Sequence, residues 1–108
     1  MKNTFNNGQV KVLVYRERDA DIWYASALEF NLTIDGTDKS AVLIELQQAI
    51  HDYIVSAREI GDASLLNQEP DPELVELWNI NVLSQAPQDA TPSPYVTTFA
   101  GIETLSFA

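Results

Sequence analysis

The stretch from Lys39 to Ile60 reads KSAVLIELQQAIHDYIVSAREI. Leu43, Leu46, Ile50, Tyr53 or Ile54, Ala57 and Ile60 recur at spacings of three and four, the period of one helix face. Glu45, Gln48, Asp52 and Glu59 fall mostly outside that stripe. Thr37 or Asp38 can cap the start, because either side-chain oxygen accepts from an unpaired N–H of the first turn. Gly61 stands where a left-handed C-cap is needed. The spacing predicts a helix from about Lys39 to Ile60. An apolar stripe must bury against something, and that demand sets the architecture.

The surface it needs lies upstream. From Gln9 to Arg16 the chain alternates, with Val10, Val12 and Val14 on one side and Lys11, Leu13 and Tyr15 on the other. Period two with β-branched residues reads as a strand. Asp19-Ala20-Asp21 is a short polar turn. Ile22 to Phe30 reads as a second strand, antiparallel to the first because the link is so short. Its Trp23, Ala25 and Ala27 share a face, and the two alanines leave room for a helix above them. Leu32-Thr33-Ile34 is a brief third strand, ended by Asp35-Gly36.

Downstream, Ala63 to Asn67 suggests a helical turn. Pro70-Asp71-Pro72 interrupts regular structure, since neither proline can donate to a ladder. From Glu73 to Leu83, Trp78, Ile80 and Val82 alternate with Asn79 and Asn81, which predicts a fourth strand. Ser84 to Pro94, with Pro87, Pro92 and Pro94, reads as linker. Tyr95 to Phe99 and Ile102 to Phe107 are strand-like again. The division expected is one domain over residues 1–83 and a strand-like tail over 84–108. That tail either folds back on the domain or adds to a partner's sheet.

Charge is the strongest compositional signal. The 108 residues hold 16 acids and 6 bases, a formal net charge of -10. Every base lies in the first 58 positions; from Glu59 onward there are eight acids and no base. Such a field opposes unaided nucleic-acid binding and favours encounter with a basic partner. A solvated acidic surface is the plainer reading of the same charges. There is no Cys, which excludes disulfides, thiol nucleophiles and thiolate metal sites. No secretory h-region or membrane-spanning apolar run is visible, so a cytoplasmic location without membrane association is expected.

The residues of reactive chemistry do not converge. His51 is the sole histidine, and its neighbour Asp52 points about 100 degrees away on a helix. Asp19 and Asp21 are explained by a turn, with no calcium-loop spacing around them. The four glycines, at 8, 36, 61 and 101, cannot build a phosphate-cradling loop. The serines lack a nucleophile-elbow context. No enzyme activity, cofactor or metal is expected.

The order strand, turn, strand, short strand, Gly-Thr, helix resembles the N-terminal domain of the HicB-like antitoxins. The resemblance rests on residues 10–14 (VKVLV), Asp19-Ala20-Asp21 before Ile22-Trp23-Tyr24-Ala25, and Leu32-Thr33-Ile34-Asp35-Gly36-Thr37 leading into the helix. It covers about residues 9–60, with Trp78 to Val82 as last strand. It implies an α+β fold: a small antiparallel sheet on one main helix, β-β-β-α-β, partial ribonuclease-H-like without the catalytic acids. It further implies a homo-oligomer, a dimer first, and neutralisation of a small basic RNA-cleaving toxin by occlusion. Residues after Glu59 match neither a helix-turn-helix nor a ribbon-helix-helix, so direct nucleic-acid binding is not expected. The alternative is an acidic inhibitor or nucleic-acid mimic of mobile-element origin. Trp78, Tyr95, Phe99 and Phe107 are the candidate protein-binding residues, since large rings often anchor interfaces.

Overall fold

In the computed structural model the described residues are 2–5, 7–17, 19–83 and 95–106. Strands β1 (Asn7–Glu17), β2 (Trp23–Ala27) and β3 (Leu32–Gly36) form a meander. Helices α1 (Lys39–Ile60) and α2 (Pro72–Leu83) follow, and β4 (Tyr95–Ser106) comes last. The sheet order is β3-β2-β1-β4, with antiparallel pairing throughout. The fold is α+β, a four-stranded antiparallel sheet with a main helix and a second, shorter one.

The main helix has the bounds its apolar spacing predicts. Asp38, rather than Thr37, caps it by accepting from Ser40 N at 2.9 Å and Ala41 N at 3.2 Å. Gly61 ends it with φ of 80°, a conformation that favours glycine. Val42, Leu46, Ile50 and Ala57 are its buried residues, and they pack on Val10, Val12, Val14, Ala25 and Ala27. The small alanines of β2 thus admit the helix. Ile60, placed on the stripe by spacing, is 69% exposed, because the helix ends beyond the sheet's cover.

Two expectations are corrected. The predicted fourth strand at Trp78–Val82 is helix α2. Asp71 starts it, its side chain accepting from Glu73 N at 2.8 Å and its carbonyl from Leu74 N and Val75 N, both at 3.0 Å. Pro72 occupies the first helical position, where its missing N–H costs nothing. The inward residues are Leu77 and Trp78, with Leu74 partly buried beside them, a spacing of three and four that outweighs the alternation. The second strand also stops short, at Ala27. Leu28–Phe30 is a 3-10 turn closed by Asn31 in the left-handed region at φ 52°. That turn sends Leu28 to one face of the sheet and Phe30 to the other.

α2 lies on the face of the sheet opposite α1. Leu13, Tyr15 and Leu28 pack there with Leu77 and Trp78. β1 is therefore covered on both sides: Val12, Leu13, Val14 and Tyr15 are at most 5% exposed. The strand-like tail folds back as β4, which pairs with β1 from Asn7↔Ser106 to Glu17↔Tyr95, with a bulge at Val14/Tyr15. The expected linker, Ser84 to Pro94, lies outside the described residues. No described helix is long and apolar enough to cross a membrane.

Candidate functional site

The acids from Glu59 to Glu76 owe their positions to the caps and helices just described. Glu59 sits in the last turn of α1. Asp62 caps the 3-10 turn Ala63–Leu66, accepting from Ser64 N at 3.0 Å and Ser64 Oγ at 2.6 Å. The Ser64 hydroxyl and amide hold the Asp62 carboxyl below its ordinary value of 3.8, because both bonds favour the charged form. Glu69 follows in the loop, where its backbone carbonyl accepts from Asn31 Nδ2 at 3.2 Å. Asp71 starts α2, and Glu73 and Glu76 stand three residues apart on that helix, both exposed. All six carboxylates, Glu59, Asp62, Glu69, Asp71, Glu73 and Glu76, are exposed.

The bases are placed differently. Lys11 Nζ meets Glu29 Oε2 at 3.2 Å, and Glu29 Oε1 also accepts from Lys11 N. Arg16 and Lys39 each lie 5.9 Å from the centroid of the Trp23 ring, within reach of a cation–π attraction. Arg58 Nη2 donates to Phe5 O at 3.0 Å. These four cations each meet a partner within the chain, Lys39 and Arg58 while still exposed, and the six acids of residues 59–76 face solvent. The outward field of that stretch is negative.

Of the predicted contact residues, Trp78, Tyr95 and Phe99 lie among the described residues. Trp78 is 8% exposed and belongs to the cluster beneath α2, so its ring serves the core. Tyr95 and Phe99 are at β4 positions opposite Glu17 and Val14. Phe107 lies outside the described residues. His51, Asp19 and Asp21 are exposed, and Asp52 accepts from Gln48 Nε2 at 3.0 Å. Among the described residues no three of His, Asp and Glu gather closely enough to hold a metal ion.

Sequence reasoning missed that Glu73 and Glu76 sit on an amphipathic helix rather than a strand. The signal was present as Asp71-Pro72 followed by Leu74, Leu77 and Trp78 at helical spacing.

No family model, no curated protein and no solved structure matches this chain.

Proposed function

We propose that this chain is a non-catalytic protein-interaction domain that presents its acidic surface to a basic macromolecule. In its finer form it is a HicB-like antitoxin, or a solitary relative, that occludes the basic active site of a small RNA-cleaving toxin. One observation carries the reading: six exposed acids lie between Glu59 and Glu76 with no base among them. They sit at the end of α1, on the Asp62 and Asp71 caps, in the loop between them and on α2, so most of the charge is held on a packed scaffold. Opposite fields accelerate encounter and suppress wrong partners.

The test is co-expression with the product of the adjacent gene, followed by pull-down and calorimetry at low and moderate salt. A short basic protein that binds, and that loses affinity when Glu73 and Glu76 become Gln, supports the reading. Failure to bind any small basic protein at either salt concentration overturns it. If RNA competes for the same partner and is displaced without a toxin being silenced, the nucleic-acid mimic takes its place.

A further inference from the structure

We infer that the outer edge of β4 is a self-pairing surface, and that two copies of this chain join there, strand against strand. The sheet order makes β3 and β4 its two ends. Among the described residues, β1 runs along one side of β4 and no strand runs along the other. The two ends differ in kind. β3 spans 5 residues and β4 spans 12. An unpaired strand edge is a row of N–H and C=O groups that another strand can satisfy. Proteins ordinarily blunt such edges with short strands, proline or lysine. β3 is blunted by its length. β4 has neither proline nor lysine between Tyr95 and Ser106.

Charge selects the occupant. Each chain carries a formal -10, so two copies repel wherever acids face each other. β4 holds one residue charged at neutral pH, Glu103, in 12 residues. It is the edge along which like-charged copies approach with least opposition. Ile102 on the same strand is 58% exposed, which leaves apolar surface beside the edge. Antiparallel pairing about a two-fold axis uses the same strand from both copies. It consumes both β4 edges, so assembly closes at a dimer. The product is one continuous sheet in the order β3-β2-β1-β4-β4-β1-β2-β3, with the acidic stretches of both chains still free for a partner.

Sedimentation of the intact chain, combined with amide exchange followed by NMR, tests this. The expected mass is twice 12.0 kDa, with amides throughout residues 95–106 protected on both sides of the strand. Ile102→Glu places acids near the dyad, while Lys11 opposite offers them a cross-strand partner that keeps β4 in its own sheet. That variant is expected to raise the dimer dissociation constant about tenfold or more with its circular dichroism unchanged. A monomer across the micromolar to millimolar range overturns the inference. So does a dimer in which alternate amides of 95–106 exchange freely, because its interface then lies elsewhere. Both readouts are independent of the acidic-surface reading, which fails or stands on partner binding alone.

Discussion

Asn3 shows how one side chain can hold distant parts of the chain together. The residue is 5% exposed. Nδ2 donates to Leu66 O at 2.7 Å, and Oδ1 accepts from Gln9 N at 2.6 Å. Asn67 Nδ2 returns a bond to Asn3 O at 2.8 Å. Gly8 makes the space: a Cβ there would meet the Asn3 side chain. Asn3→Ala leaves buried groups unpaired and is expected to cost about 1–3 kcal/mol in urea unfolding. If Gly8→Ala acts by expelling Asn3, the double variant costs no more than the worse single one; additive losses would refute that coupling. Tyr53 gives a pH prediction. Its hydroxyl donates to Leu65 O at 2.8 Å and accepts from Gln68 Nε2. Burial foremost, with the Asp62 charge adding to it, raises its pKa above 10.0. The unfolded chain then loses this proton first. Its stabilising contribution is complete below the unfolded value of 10.0 and is lost as pH rises through the folded value. Tyr53→Phe should flatten that alkaline loss in a stability-against-pH series.

Among the elements, α2 separates two readings of one segment. A strand over residues 73–83 would put Trp78, Ile80 and Val82 on one face. The helix puts Leu77 and Trp78 inward and Glu76 outward. Leu77→Ala should therefore cost about 2–4 kcal/mol, while Glu76→Ala should stay within about 0.5 kcal/mol, both by chemical denaturation. Equal effects would mean that α2 is not packed as described. At the other helix, Gly61→Ala places a Cβ at φ 80° and should cost about 1 kcal/mol. Asp38→Ala, which removes the cap of the same helix, should cost a similar amount, about 1 kcal/mol.

Over the whole molecule, salt should act in opposite directions on folding and on partner binding. The net charge of -10 makes the folded chain repel itself, so screening should raise the melting temperature. The same screening should weaken attraction to a basic partner and strengthen pairing between two like-charged copies. A melting temperature that falls with added sodium chloride would show that attractive pairs, such as Lys11–Glu29, outweigh the net repulsion. The sandwich of α1, sheet and α2 also explains why residues 12–15 of β1 are buried without a break. A central strand covered by a helix on each face has no solvent side.

The α1 half of the fold was legible in the local sequence, because its determinants are local. Helical spacing, an Asx cap, a terminal glycine and the valines of β1 act over a few residues each, and small alanines mark the face that receives the helix. Leu13 and Tyr15, both large and apolar on the other face, already called for a second cover, but nothing nearby said what supplies it. That answer depended on Leu77 and Trp78, more than sixty residues away in the chain, and on which of two competing periods packing would reward. The return of β4 to β1 was likewise settled by tertiary pairing: a strand-like tail carries no local mark of whose edge it will join. The acids were countable from composition, yet their common exposure and the engagement of the cations followed from the folded arrangement, since burial is a property of neighbours in space.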